Sequence, residues 1–209
     1  MACSKGTKAV LEHYDDDERG ALRRDLLRRR RALSQEDAVK AGRAVLATLL
    51  SHSFMTAPRL VASYASLRGE VDTQEINRTL LALGHTLCLP VVDPDGAGVM
   101  RFHRTDKASM FTEDRYGIRE PLPALDTLVE DQSLDVVLLP LVGFDARGNR
   151  LGMGGGYYDR LLKRLTARTL LIGIAYDFQE VRSINAKEWD MPVDEVITPT
   201  RHLVFREKF

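Results

Sequence analysis

Residues 150–159 read RLGMGGGYYD and combine the cation of Arg150 with four glycines, two tyrosines and the carboxylate of Asp159. Because glycine has no side chain, the backbone N–H groups of such a stretch can converge on an oxyanion. A helix that begins directly after the glycines would add partial positive charge. The segment is therefore typical of a phosphate-binding loop, and the alternative is a tight turn that only reverses the chain.

The loop does not fit the two common nucleotide-binding fingerprints. A dinucleotide motif has glycines at its first, third and sixth positions, and counting from Gly152 the sixth position is Tyr157. A Walker loop ends in Gly-Lys-Ser or Gly-Lys-Thr, and the segment contains neither. Any phosphate site here is consequently of another type.

Apolar runs place this loop in a larger pattern. LDVVLLPLV, residues 134–142, predicts a buried strand just before the loop, and a helix is predicted at Tyr157–Arg164. Further strands are predicted in RLVASYA, TLCLPVV and TLLIGIAY, with helical segments between them. This alternation predicts an α/β fold with a mostly parallel central sheet, in which ligands bind at the carboxyl ends of the strands.

The amino-terminal residues differ in character from the rest. Residues 1–18 are polar, include the acidic run Asp15–Glu18 and lack an amphipathic period, so we expect a flexible tail. The remaining residues, 19–209, are enough for one domain with a substantial core and too few for two ordinary domains. We therefore predict a single α/β domain over residues 19–209.

Two helices are predicted at the start of this domain. Leu22, Leu26 and Leu33 share one face of the first helix, and arginines surround the rest. Ser34, three residues before Asp37, predicts the N-cap of the second helix.

Overall composition excludes several classes of partner. Lys and Arg together number 30, as do Asp and Glu, so no net charge favours nucleic acid or an anionic membrane. Cys3 and Cys88 lie far apart, and the amino terminus lacks the pattern of a secretory signal. No apolar run approaches the roughly 20 residues of a membrane span. We expect a cytoplasmic protein.

Four separated segments, in the right order, resemble the 5-formyltetrahydrofolate cyclo-ligase family, also called methenyltetrahydrofolate synthetase. They are LRRDLLRRRRALS, LRGEVDT, PLVGFDARGNRLGMGGGYYDRLL and EWDMPVDEVITP. The likeness extends from about Arg19 to Thr200. It implies a three-layer α/β/α fold similar to that of sugar-phosphate isomerases and CoA transferases.

The resemblance also implies a reaction. ATP and Mg²⁺ would drive conversion of 5-formyltetrahydrofolate, with or without a polyglutamate tail, to 5,10-methenyltetrahydrofolate, releasing ADP and phosphate. The formyl oxygen would take the γ-phosphoryl group and leave with it when the neighbouring folate nitrogen attacks. Such chemistry depends chiefly on positioning and on cations that neutralise shifting charge. We expect a monomeric, ATP- and folate-binding catalytic domain.

Site residues follow from the resemblance position by position. Catalytic roles fall to Arg150, Tyr158 and Asp159. The nucleotide would be bound by Arg19, Arg23, Arg150, Leu151, Gly152, Met153, Gly154, Gly155, Gly156, Tyr157 and Tyr158. The folate would contact Ala65, Glu70 and Tyr157, and a magnesium ion would be held by Asp159 and Asp194. Asp159 could instead complement a helix dipole, and Asp194 could cap a turn.

Two other functions remain open from the residues alone. Related scaffolds support other phosphate-ester or CoA enzymes, since fold does not fix chemistry. The seven arginines between Arg19 and Arg31 could instead bind RNA without catalysis, although no aromatic stacking platform accompanies them. For Arg28–Arg31 we favour a solvated helix face.

Overall fold

A computed structural model of the chain describes residues 5–67, 69–92, 99–106, 108–113 and 119–208. The α-helices in these ranges are α1 (Lys5–Arg31), α2 (Gln35–Leu50), α3 (Gln74–Ala82) and α4 (Tyr157–Leu162). The strands are β1 (Leu60–Ala62), β2 (Thr86–Val92), β3 (Met100–Thr105), β4 (Phe111–Glu113), β5 (Arg119–Pro121), β6 (Leu128–Val129), β7 (Val136–Pro140), β8 (Gly143–Phe144), β9 (Arg150–Leu151), β10 (Leu170–Ile174), β11 (Glu195–Ile197) and β12 (His202–Val204).

The main sheet is mixed and mostly parallel, as predicted. Its strand order is β12-β11-β10-β7-β1-β2-β3-β6. The pairs from β2 through β1, β7 and β10 to β11 are parallel, whereas β12, β3 and β6 are antiparallel to their neighbours. The carboxyl ends of the central strands therefore meet along one edge of the sheet.

The central strands alternate their side chains between two apolar layers. Val61 and Val136 pack with α2 and α3 on one face. Ala62 and Val137 lie on the other face, where they pack with Leu161 of α4. Strands buried on both faces in this way are nearly continuous apolar runs, which is why they were recognisable from sequence. The three-layer α/β/α architecture is confirmed.

The start of α2 follows the predicted capping pattern. The hydroxyl of Ser34 accepts a hydrogen bond from the Asp37 N–H at 3.1 Å, and the Asp37 carboxylate accepts one from the Ser34 N–H at 3.0 Å. Such a capping box satisfies two backbone donors that the helix leaves without partners, and its N-cap residue contributes about 1 kcal/mol.

Helix α1 begins earlier than predicted. Sequence placed the start of ordered structure near Arg19, but α1 already begins at Lys5, and residues 1–4 lie outside the described range. Most residues before Arg19 are compatible with a helix even without an apolar stripe, so α1 continues toward the amino terminus from its packed part. That packed part is anchored by Leu26, which is buried against Val142 and Leu151.

Two short antiparallel strand pairs were not predicted. Strand β4 pairs with β5, and β8 pairs with β9 just before the glycine segment. The buried carboxylate of Asp145 holds the turn between β8 and β9, since it accepts hydrogen bonds from Asn149 and from the Ile184 N–H. Burial favours the neutral acid, but these bonds outweigh it and lower the pKa of Asp145.

None of the helices in the described part of the chain combines the length and apolar character that a bilayer span requires.

We predict that Gly42→Ala lowers the free energy of unfolding by about 1–3 kcal/mol, as overpacking does. A Cβ at Gly42 in α2 would lie 2.1 Å from the backbone oxygen of Asp72. The control is Gly20→Ala in α1, whose Cβ would meet only the flexible Arg24 guanidinium at 3.3 Å. It should gain up to about 1 kcal/mol in helix propensity. Equal stability of the two variants in urea denaturation would contradict the close packing of α2.

Candidate functional site

A pocket of about 880 Å³ opens at the carboxyl ends of β1, β2 and β7, which is a volume suited to small-molecule ligands. Helix α1 crosses one side of it and α4 forms another. Most of the predicted site residues line this pocket, namely Arg19, Arg23, Ala65, Glu70, Arg150, Gly152, Met153, Gly154, Gly155, Gly156, Tyr157, Tyr158 and Asp159. Segments distant in sequence therefore converge on one pocket.

The glycine segment forms an open backbone loop in this pocket. Gly154 and Gly156 have φ angles of +100° and +67°, in the left-handed region that favours glycine. Arg23 of α1 donates a hydrogen bond to the Gly152 carbonyl at 2.8 Å, and its guanidinium lies 3.8 Å from where a Cβ of Gly154 would stand. The loop thus exposes bare backbone directly beside a cation, which favours anion binding over a simple turn.

Arg150 is a buried cation at the base of the loop. Its guanidinium forms an ion pair with Asp159, and its Nε donates to the Met191 carbonyl at 3.0 Å. Its Nη1 lies 3.8 Å from where a Cβ of Gly152 would stand. A buried guanidinium requires such partners, and they fix the charge of Arg150 beneath the loop.

Helix α4 is shorter than predicted, since it ends at Leu162 rather than Arg164. A helix of this length adds little dipole, so the positive charge at the loop comes mainly from arginine side chains.

Burial raises the pKa of Tyr158 well above its usual range. The Tyr158 hydroxyl therefore stays protonated and can donate a hydrogen bond, but it cannot serve as a base.

Leu151 does not line the pocket, although sequence placed it among the nucleotide-binding residues. Its side chain is fully buried and packs with Leu26, Val142 and Ile184. Alternation along β9 explains the difference, because neighbouring residues of a strand face opposite sides. Leu151 anchors the loop while Arg150 faces the pocket.

Asp194 also lies outside the pocket, so the structure does not bring the two predicted magnesium ligands together. Its side chain is 1% exposed, accepts a hydrogen bond from the Leu171 N–H at 2.9 Å and forms an ion pair with Lys208 at 2.8 Å. Its location just before β11 embeds it between strands. These partners neutralise the Asp194 carboxylate, which acts here as a structural group.

Asp190 is a pocket carboxylate that the sequence analysis missed. It forms an ion pair with Arg19 at 2.6 Å and accepts a hydrogen bond from the Lys187 N–H. Burial favours the neutral acid, but the hydrogen bonds from Arg19 and the Lys187 N–H, together with the charges of Arg19 and Arg150, outweigh it and lower the pKa of Asp190. Asp190 and Asp194 belong to the same motif, and only the fold distinguishes which of them reaches the pocket.

Arg30 is the second missed residue. We interpreted Arg28–Arg31 as a solvated face, yet Arg30 is buried and pairs with Glu70 at 3.2 Å, whereas Arg28 and Arg31 are exposed. The helical period could have identified Arg30, because Arg19, Arg23 and Arg30 are spaced by four and seven residues and therefore share one face of the helix.

Two of the other arginines of α1 have partners within the protein. The Arg29 guanidinium lies 4.6 Å from the centre of the Phe178 ring, and Arg28 pairs with Asp25. Since Arg19, Arg23 and Arg30 point into the pocket, the charge run is divided between a binding site and ordinary surface.

Asp159 fits a magnesium site better than any other predicted residue. It is partly exposed, lies beside the loop and faces the pocket, and Mg²⁺ is usually held by one or two carboxylates together with substrate phosphates.

One group with metal-ligand composition occurs elsewhere among the described residues: His52, Glu195 and His202. Both His Nε2 atoms lie against the same Glu195 oxygen, at 2.9 Å and 2.7 Å. His52 Nδ1 accepts the Phe54 N–H, so neutral His52 carries its proton on Nε2 and donates it to Glu195. Metal-bound histidines donate from their other ring nitrogen instead. This group is therefore a hydrogen-bonded cluster rather than a metal centre.

Comparison with known proteins identifies the family of the chain. The model of the 5-formyltetrahydrofolate cyclo-ligase family matches residues 15–199. The chain is 36% identical to the Escherichia coli K12 5-formyltetrahydrofolate cyclo-ligase over 174 residues, covering 83% of this chain and 96% of the relative. It is 30% identical to the Mycolicibacterium smegmatis enzyme, covering 88% and 94%.

Solved structures with a similar fold belong to the same class of enzyme. The fold resembles Aquifex aeolicus 5,10-methenyltetrahydrofolate synthetase with a TM-score of 0.78 and 32% identity, covering 90% of this chain and 93% of the other. It also resembles the Mycoplasma pneumoniae synthetase with a TM-score of 0.68. On these grounds, and with the site geometry in agreement, the chain belongs to the 5-formyltetrahydrofolate cyclo-ligase family.

Proposed function

We propose that this pocket binds ATP at the glycine loop and 5-formyltetrahydrofolate against Glu70, and that the two meet there for the family's ring closure. The observation that carries the proposal is one shared cavity with bare backbone and arginines at one end and a buried carboxylate at the other. The bare backbone and arginines can bind a triphosphate. The carboxylate can accept hydrogen bonds from a ring that bears N–H groups.

The chain is an enzyme with 5-formyltetrahydrofolate cyclo-ligase activity, and membership of this family implies dependence on ATP. The formyl oxygen attacks the γ-phosphorus, and ADP leaves. The neighbouring folate nitrogen then attacks the activated carbon and gives up its proton to an oxygen of the departing phosphate or to water, and phosphate leaves with the former formyl oxygen. No general base of unusual strength is needed, because charge moves mainly among phosphoryl oxygens.

The side chains of the phosphate end have distinct tasks in this proposal. Arg150 supplies a fixed charge beneath the loop, and Arg23 supplies a second charge from α1. The neutral Tyr158 donates a hydrogen bond to an oxygen that gains charge. Fixed donors stabilise developing charge without reorganising, which is how such sites accelerate phosphoryl transfer.

Asp159 would hold a magnesium ion at the phosphates. The ion would neutralise charge on the β- and γ-oxygens and orient them for in-line attack. Asp194 has no part in this proposal because its carboxylate is paired with Lys208.

At the folate end, the Glu70 carboxylate would accept N–H groups of the pterin ring. Ala65 and Tyr157 also line the pocket and would limit the shape of the substrate. A monomeric state, a cytoplasmic location and a functional division at residue 19 stay predictions from the sequence.

We predict that Gly154→Ala raises the Kd for ATP by about tenfold, since a lost backbone interaction of about 1.4 kcal/mol has that effect. The residue has φ +100° and faces the pocket. Gly84→Ala is the matched control, because Gly84 has φ +85° with open space around it. Both changes cost about 1–2 kcal/mol of strain, but only the first should affect calorimetric ATP binding. Unchanged ATP affinity in a folded Gly154→Ala protein would refute the loop assignment.

We predict that Asp159→Asn lowers kcat about 10²- to 10³-fold, the usual effect of removing one electrostatic group from a reacting centre. The Kd for 5-formyltetrahydrofolate should change less than twofold, roughly the scatter of distant sites. Glu75→Gln is the control, since Glu75 lies in an exposed ion pair with Arg43. Formation of the methenyl product, followed by its near-ultraviolet absorbance at several magnesium concentrations, provides the measurement. A loss of folate affinity with kcat preserved would reverse the assignment.

We predict that Glu70→Gln weakens folate binding by at least about tenfold while ATP binding stays unchanged, because charge-assisted hydrogen bonds contribute about 1.5–3 kcal/mol. Burial raises the pKa of Glu70, although Arg30 opposes this effect. The carboxylate is ionised above that pKa, so wild-type folate affinity is full there and falls as pH drops through it. The variant should lack this dependence. Calorimetric titration across pH tests both, and equal pH profiles would count against Glu70 as the acceptor.

A further inference from the structure

Arg30 occupies a position that ordinary surface arginines do not. It is 5% exposed at the end of α1, whereas the adjacent Arg29 and Arg31 are exposed. Burying a guanidinium costs several kcal/mol unless partners compensate, and such residues are almost never fully buried without a charge partner. The location of Arg30 on the wall of the pocket therefore calls for an explanation.

The contacts of Arg30 lead to Glu70. The two side chains are each 6% exposed and form an ion pair at 3.2 Å between Nη2 and Oε1. The other oxygen, Oε2, accepts a hydrogen bond from the Leu67 N–H at 2.9 Å. The Arg30 Nη1 also donates to the Leu141 carbonyl at 3.4 Å. Each carboxylate oxygen keeps a second lone pair, so Glu70 is fixed without being saturated.

The backbones approach closely at the same place. Gly69 has φ +83°, and a Cβ there would lie 2.7 Å from the carbonyl oxygen of Arg30. The loop that carries Glu70 is therefore packed directly against the end of α1. Side-chain pairing and backbone contact together hold Glu70 in one orientation.

Arg30 also determines the charge state at this end of the pocket. The other groups that face Glu70 are Tyr64 after β1, Tyr158 from α4 and Tyr176 after β10. Burial raises the pKa of each of these phenols, for Tyr176 to about 12, so all three remain neutral at physiological pH. Burial likewise raises the pKa of Glu70, and the Arg30 guanidinium is the cation that opposes it.

We infer that Arg30 is a positioning residue for folate recognition, which holds the Glu70 carboxylate charged and aimed at the N–H groups of the substrate's ring. The inference rests on the proposed function of Glu70 and adds a residue that acts through it. A purely structural role, in which Arg30 only joins α1 to the loop, is the competing explanation.

The test compares Arg30→Met with Arg31→Met, which changes the neighbouring exposed arginine. Arg30→Met should raise the calorimetric Kd for 5-formyltetrahydrofolate at least about 30-fold at pH 7, as expected when one partner of a buried charge pair is removed. The Kd for ATP should stay within about twofold. Arg31→Met should leave both affinities unchanged. Equal weakening of ATP and folate binding by Arg30→Met would overturn the inference.

The pH profile separates positioning from structure. Without Arg30, only the hydrogen bond from the Leu67 N–H still opposes the effect of burial on the pKa of Glu70. Folate affinity should therefore be lost at a higher pH than in the wild type and partly regained as pH rises further. Arg30→Lys keeps a cation and should keep the loss of affinity near the wild-type pH. A folded Arg30→Met protein with the wild-type pH profile would overturn the inference.

A double variant guards against failure to fold. Arg30→Met combined with Glu70→Gln removes both charges and leaves no unpaired one. Its folate affinity should equal that of Glu70→Gln alone, because Arg30 acts only through Glu70; additive losses would overturn the inference. If Glu70→Gln itself leaves folate binding intact, the proposed function of the pocket fails. If Glu70→Gln weakens binding and Arg30→Met does not, only the role of Arg30 fails.

Discussion

The buried charge of Arg150 constrains the whole phosphate end of the pocket. A guanidinium removed from water requires partners on each side, and here they come from α4 through Asp159 and from the segment before β11 through the Met191 carbonyl. Satisfying one cation thus brings together three parts of the chain around the glycine loop. Leu151, the next residue, holds the other side of β9 in the core. The loop is consequently open in its backbone and still fixed at its base.

Helix α1 contributes three arginines that line the pocket. Arg19, Arg23 and Arg30 lie on one face of a single helix, with Leu26 of the same face buried between them. Arg19 and Arg23 lie toward the loop, whereas Arg30 pairs with Glu70. One helix therefore supplies cations to both ends of the pocket. In the proposed function, the distance between the two substrates would then depend on helix geometry rather than on flexible loops.

Elements marked by a local sequence pattern could be predicted, whereas features that depend on contacts between distant residues could not. Strands such as β7 and β10 are continuous apolar runs, and the Ser34 cap is a local pattern, so both were recognisable. Strands β8 and β9 are too short for any periodicity, and they form only through pairing with each other. A local pattern also cannot show which of Asp190 and Asp194 reaches the pocket, because this depends on which residue the β10–β11 pairing buries. Arg30 lies in a run of four arginines, and in the sequence only its helical spacing from Arg19 and Arg23 separates it from Arg31.

The pocket also explains how a chain with no net charge can bind a triphosphate. Three of its cations pair with carboxylates, namely Arg19 with Asp190, Arg150 with Asp159 and Arg30 with Glu70. Arg23, Arg160, Lys163 and Lys187 also line the pocket, so its cations outnumber its carboxylates although the whole chain carries no net charge. A bare triphosphate approaching the loop would meet Asp159 and Asp190 as well as the arginines, and like charges repel most strongly where water is excluded. In the proposed function, Asp159 would hold a magnesium ion whose charge would offset this repulsion, and Arg150 would add its own positive charge at the phosphates. In the proposed function, the carboxylates of the pocket would therefore favour the magnesium complex of ATP over free ATP.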